Sequence, residues 1–259
     1  MLSLNSKQDF IDTNITATLV LLEAAVVAQV QAFVYTSTTS VCGDALRPPV
    51  GKPAAWVTED VRPIPKNIYG VSKLATEDLC HLFHRTSGLN CIILRPSRFL
   101  PEDDDDLLKR QNYDHDNLKA NEFLFRRIEL EDVVSAHLAA SEKAPEIGFD
   151  RYIISATTPF TRRDLLALRT NAPSVVESHV PEYREIYSRL GWKMFGDIDR
   201  VYINDAARAD LGWNPKHDFA HVIGCLDRGE DIRSRLAQIV GSKGYHAQTF
   251  DDGPYPVHA

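Results

Sequence analysis

Cys91-Ile-Ile-Leu-Arg95-Pro96 reads as a short strand buried on both faces and ended by proline. Upstream of it, the spacing predicts a helix from about Tyr69 to Thr86, with Val71, Leu74, Leu79, Leu82 and Phe83 turned inward and Gly88 as its stop. Before that helix, Ala32 to Tyr35 predicts a second buried strand, which delivers Thr36-Ser37-Thr38 at its carboxyl end. Strand, helix, strand in this order is a right-handed crossover in a parallel sheet, so the fold class is α/β. Sites in such sheets lie beyond the carboxyl ends of the strands. Thr36-Ser37-Thr38, Pro96-Ser97-Arg98 and the start of the Tyr69 helix therefore converge on one cleft.

The helix opens with Tyr69-Gly-Val-Ser-Lys73. A phenol and an ammonium four residues apart share one helix face. A free tyrosine ionises near ~10 and is a poor acid–base at neutral pH, whereas a nearby cation stabilises the phenolate and lowers that value. A hydroxyl from the Thr36–Thr38 turn could bind the oxygen whose proton moves. The group suits alcohol/carbonyl chemistry.

Elsewhere, Asp12 or Thr13 can cap a helix through Ile15, Leu19, Leu22, Val26 and Val30. Val20, Leu21, Ala24 and Val27 make its other side apolar, which predicts cover on two faces. Residues 43–68 are a proline-rich loop. Ile128 to Leu130 leads into a helix through Val133, Val134, Ala136, His137 and Ala140, and Arg151 to Ser155 forms a further strand. From about residue 160 the chain is helical and charged, and from Gly241 it loses periodicity.

With 44% apolar and 25% charged residues, the 259-residue chain has the composition of an ordinary soluble globular protein. A net charge of −7 argues against nucleic acid as a partner. The four cysteines, Cys42, Cys80, Cys91 and Cys225, form no C-x-x-C pair and read as reduced thiols of a cytoplasmic protein. Glu23 and Gln29 interrupt the apolar residues 15–35 and no basic region precedes them, so neither a membrane span nor a signal peptide is expected. Asp103 to Asp106 read as a solvated loop. His81 and His84 lack a third metal ligand, so no metal is expected.

Five segments together resemble the extended short-chain dehydrogenase/reductases, the NAD-dependent epimerase/dehydratase group. Asn14 to Ala25 is similar to the family's N-V-x-G-T-x-N-L-L-E-A-A helix, and Phe33 to Gly43 to its F-V-Y-x-S-S-x-x-V-Y-G strand. Tyr69 to Lys73 looks like its Y-G-x-S-K, Arg127 to Val134 its R-x-F-I-x-V-x-D-V-A, and Asp210 to Pro215 its late L-G-W-x-P. The resemblance implies a partial doubly wound, Rossmann-like sheet over residues 1–160, a small α-rich substrate region over 161–240, and a tail over 241–259. It implies Tyr69 as acid–base, Lys73 as ribose ligand and cation, and Thr38 as the catalytic hydroxyl, with Ser37 adjacent. Thr36, Ser37, Pro96 and Ser97 are then expected beside NAD or NADP, and Asn14 in the helix behind the site. Thr39, Arg98 and Arg127 are candidates for contact with a sugar-type substrate, and Arg126 stands beside them.

The chain departs from this pattern. It carries no G-x-x-G-x-x-G turn for the pyrophosphate, and begins at a helix that in the family follows roughly 80 residues of sheet. Cofactor binding is therefore expected to be weak or lost, and the exposed sheet edge to be covered by a partner or second copy. Arg98 replaces an Asn of the family's R-P-x-N-x-Y-G-P, and Thr39-Ser40 stands where dehydratases carry Asp-Glu, which argues against dehydration. Two readings follow: an NAD(P)-dependent epimerase or oxidoreductase, or a cofactor-deficient remnant serving as an interaction module. In either case the family implies a homodimer through the helices at 12–30 and 69–86.

Overall fold

A computed structural model describes residues 6–100, 102 and 107–241; the expected Asp103–Asp106 loop and all but the first residue of the expected 241–259 tail lie outside them. The first element is helix α1 (Lys7–Val27). Ser6 Oγ accepts from the Asp9 amide and the Asp9 carboxylate accepts from the Ser6 amide, a reciprocal cap that starts the helix earlier than Asp12 or Thr13. The winding is α over Lys7–Phe10, π over Ile11–Thr16 and α again over Ala17–Val27. It stops short of Val30, where Gln29 takes a left-handed φ of 52°. Thr18, Leu22 and Ala25 are buried, whereas Val20 and Leu21 are 58% and Val27 85% exposed. Among the described residues, only one face of the helix is covered.

Strand β1 (Phe33–Thr36) follows, then helix α2 (Ile68–Ser87), strand β2 (Cys91–Pro96), helix α3 (Leu130–Ile147) and strand β3 (Phe149–Ile154). Asn67 caps α2 through the Gly70 amide and Gly88 ends it in the left-handed conformation. The sheet is parallel in the order β1-β2-β3, with Thr36 opposite Leu94 and Pro96 opposite Ile154. All of β2 is buried, which explains its unbroken apolar run. Burying Ile92, Ile93 and Leu94 contributes about 1.5–3 kcal/mol each.

Helices cover both faces. Leu22, Ala25 and Cys80 pack with Tyr35, Cys91 and Ile93 on one side. On the other, Val133, Ala136, Ala140 and Ala144 of α3 pack with Ile92, Leu94, Tyr152 and Ile154. The inward face of α2 is the expected one only in part: Leu74, Leu79 and Phe83 pack on the core, Val71 and Leu82 are exposed, and Ser72, Thr76, Glu77 and Cys80 are buried beside them. Polar groups take that face because they bond to each other and to the strands.

The strongest of those bonds is ionic. Arg95 on β2 donates from Nε and Nη2 to the two carboxylate oxygens of Glu77 on α2, at 2.9 and 2.6 Å, with both side chains almost wholly buried. Ser37, just past β1, donates to the same carboxylate. One bidentate pair thus ties both strands to the helix between them.

Asp132 near the start of α3 accepts from the amides of Lys216 and His217 and pairs with the His217 ring, while Trp213 Nε1 donates to its carbonyl. The two late sequence motifs therefore meet. A further apolar cluster gathers Phe160, Val176, Tyr187, Phe195 and Phe219 from the later chain with Leu118 and Phe123 from before α3. Trp56 and Val57 of a short strand, Ala55–Val57, pair in parallel with Arg200–Tyr202 and join the proline-rich loop to this region.

Removing one partner of a buried ion pair leaves the other charged and dry. Glu77→Ala is expected to lower stability by about 3–5 kcal/mol, measured by urea unfolding with an unchanged m-value. A loss below 1 kcal/mol would mean that the pair is solvated and holds nothing together.

Candidate active site

The carboxyl ends of β1 and β2 and the first turn of α2 come together as the crossover requires. Thr38, in extended backbone, accepts from the Ser40 amide and caps a short 3-10 turn, Thr39–Cys42. Its hydroxyl also bonds to the Tyr69 phenol. Behind them, Asn14 Nδ2 donates to Ser72 Oγ at 2.9 Å, Ser72 Oγ donates to the Tyr69 carbonyl, and Thr76 Oγ1 reaches the Asn14 carbonyl. The π-wound part of α1 is thus fastened to the helix that carries the phenol.

Lys73 Nζ donates to the Thr36 carbonyl at 2.8 Å and lies 4.8 Å from the centre of the Tyr35 ring. Because the Ser37 amide points to Leu94 on β2, the Thr36 carbonyl faces the outer edge of β1. The ammonium therefore caps a sheet-edge acceptor that has no strand beside it among the described residues. Burial outweighs the Glu77 charge and pulls the Lys73 pKa down to about 8. Burial also raises that of Tyr69, against the Thr38 hydrogen bond, which favours phenolate. This corrects the expectation that Lys73 lowers the Tyr69 value: here the ammonium is directed to the strand end and the phenol stays protonated.

The remaining candidates divide. Thr36 is exposed, with its hydroxyl 2.7 Å from His137 Nε2 on α3. Ser97 is buried, its amide bonds to Ile154 and its hydroxyl has no partner among the described residues. The Pro96 carbonyl faces the Thr39 hydroxyl at 3.4 Å. Ser37 is buried and its hydroxyl donates to Glu77, so it has no further donor for a ligand. Arg127 is a correction. It is fully buried, with Nε and Nη2 on Glu122 and Nη1 on the carbonyls of Phe99, Leu100 and Glu102, so it holds loops together and does not reach a substrate. Arg126 also pairs with Glu122. Arg98 stands beside Arg127 in a two-residue parallel pairing and is half-buried. His81 and His84 stack on Phe149, 4.4 and 5.7 Å between ring centres.

Sequence reasoning missed Glu77. The signal was there, since Tyr69, Lys73 and Glu77 repeat at four-residue spacing along one stripe of α2.

Residues 1–112 match the model of the NAD dependent epimerase/dehydratase family. This stretch, under half of the chain, is similar to that family. The dTDP-glucose 4,6-dehydratase of Streptomyces antibioticus is 28% identical over 243 residues, which are 85% of this chain and 64% of that protein. The chain thus spans just under two thirds of this relative's length. Among solved structures, the UDP-Glc/GlcNAc 4-epimerase of Campylobacter jejuni superposes with a TM-score of 0.56 at 20% identity, over 85% of this chain and 70% of that one. The UDP-glucuronic acid 4-epimerase of Bacillus cereus, in complex with UDP-glucuronic acid and NAD, gives 0.52 at 21% identity over 85% and 68%. At these identities the superpositions establish the α/β, Rossmann-like fold of the chain.

The Lys73 shift has a sign that can be checked. Below pH 8 the amine is protonated in both folded and unfolded chains, and folding bears the full desolvation cost. Between 8 and the ordinary 10.5 the folded chain releases its proton first, so stability rises through that window. Unfolding midpoints of wild type and Lys73→Met, compared across this range, should converge as pH increases; parallel curves would refute the buried-ammonium reading.

Proposed function

We propose that the chain works as a nicotinamide-dependent epimerase or dehydrogenase on a sugar-type substrate, with Tyr69 moving the proton of the reacting hydroxyl. The observation that carries this reading is the Thr38 hydroxyl on the Tyr69 phenol, with Lys73 one turn further, beyond the ends of two parallel strands. The named relatives act on nucleotide-linked sugars, and the half-buried Arg98 supports an anionic group on the substrate.

The residues fit the nicotinamide end of such a cofactor. Ser97 brings a buried hydroxyl without a partner among the described residues, Pro96 a carbonyl, and Thr36 an exposed hydroxyl at the strand edge, where Lys73 already donates. A nicotinamide held there would supply reversible hydride transfer with a carbinol carbon. Held protonated by burial, Tyr69 is ready to donate to a carbonyl oxygen as the hydride arrives. For oxidation it must first lose its proton, and Lys73, released from Thr36, is the cation able to favour that. Thr38 holds the substrate oxygen against the phenol. Tyr69→Phe is expected to lower turnover of a nucleotide-hexose with NAD or NADP by about 10²–10⁴, with substrate binding retained. Unchanged turnover in that variant would sink the assignment.

The exposed face of α1 favours a second property. Ala17, Val20, Ala24 and Val27 form an exposed seam spaced three and four residues apart, and Val71 and Leu82 are exposed on α2. The helix is long and apolar enough to cross a bilayer, yet Thr18, Leu22 and Ala25 on its other face are packed on the sheet. A second copy of the chain covers such a seam without unpacking the core. Val20→Glu with Val27→Glu should convert a dimer to monomer in sedimentation; a wild-type monomer at micromolar concentration would refute it.

A further inference from the structure

The first turn of α1 lies against the reacting phenol. Phe10 sits with its ring centre 6.0 Å from that of Tyr69, tilted by 59°. We propose that Phe10 is a further positioning residue of this site, the apolar wall that keeps water from the Tyr69 phenol, and that the π turn next to it is what places it there. The inference rests on the acid–base reading of Tyr69.

The winding supplies the argument. Leu22, Thr18, Asn14 and Phe10 recur every four residues. At 3.6 residues per α turn, each four-residue step drifts around the axis, so in an unbroken α-helix Phe10 would swing off the face that Leu22 and Thr18 bury. The π segment Ile11–Thr16 takes more residues per turn and cancels that drift. Asn14, inside it, stays turned to Ser72, and Phe10 stays turned to Tyr69. The wide turn is locked by the Thr76 hydroxyl on the Asn14 carbonyl.

Phe10 adds only apolar surface to the environment of the phenol. The other groups that act on it are the Thr38 hydroxyl, the Glu102 carboxylate and, from β1, the Tyr35 phenol, with Lys73 one turn along α2. Trimming Phe10 therefore changes hydration and leaves every charge in place.

The test follows Tyr69 ionisation by phenolate absorbance, with Tyr69→Phe subtracted as the blank. In folded Phe10→Ala the midpoint should fall toward that of an ordinary tyrosine, and tetranitromethane should nitrate Tyr69 faster than in wild type. Phe10→Leu, which keeps an apolar side chain and serves where the alanine variant does not fold, should show a smaller shift in the same direction. A midpoint and nitration rate equal to wild type in the folded variant overturns the proposal. Failure of the acid–base reading itself would register separately, as unchanged turnover in Tyr69→Phe.

Discussion

The buried Arg95–Glu77 pair is the constraint on which the site depends. It joins β2 to α2, and Ser37 joins β1 to the same carboxylate, so three chain segments meet on one pair of oxygens. An ion pair in a dry core adds little net stability, because desolvation offsets much of its attraction. What it supplies here is position. The carboxylate lies two turns along α2 from Tyr69, and the strand residues that reach it are within two positions of Thr38 and Ser97. Rotating α2 away would strand a charge, so the phenol is held in register with the strand ends by electrostatics as well as by apolar packing.

This arrangement also accounts for where the sequence could be read and where it could not. The run Cys91–Leu94 and the stop at Gly88 were legible because each has one dominant physical meaning: continuous apolar residues with no polar face, and a residue free to take the left-handed region. The inward face of α2 was legible only at Leu74, Leu79 and Phe83. Val71 and Leu82 look like core by hydrophobicity, yet they are exposed while Ser72, Thr76 and Glu77 are buried, because partners on other elements satisfy those groups. Pattern reading scores a residue alone, whereas burial of a charge is decided by a residue eighteen positions away. Arg127 failed for the same reason. Its candidacy came from a motif, and its role is set by Glu122 and three carbonyls that only the folded loop brings within reach.

The start of α1 illustrates a smaller limit. Asp12 and Thr13 are sound cap residues, but the Ser6/Asp9 pair closes two bonds where either would close one, and it wins. The π turn had no local signature. It goes with the bonds of Asn14 to Ser72 and of Thr76 to the Asn14 carbonyl, partners that lie on α2 and not in residues 11–16.

The same local competition sets the charge state of the site. Lys73 was expected to act on Tyr69 because the two share a helix face, but an ammonium goes to the best acceptor within reach. At the edge of β1 that acceptor is a backbone carbonyl with no neighbouring strand among the described residues to donate to it. A donor from a bound molecule or an added strand would compete for the Thr36 carbonyl and free the ammonium. Its charge could then move toward the phenol, one turn away on the same helix, and oppose the burial that now keeps the proton in place. On the acid–base reading proposed for Tyr69, completing the sheet edge would release Lys73 and so tune that chemistry.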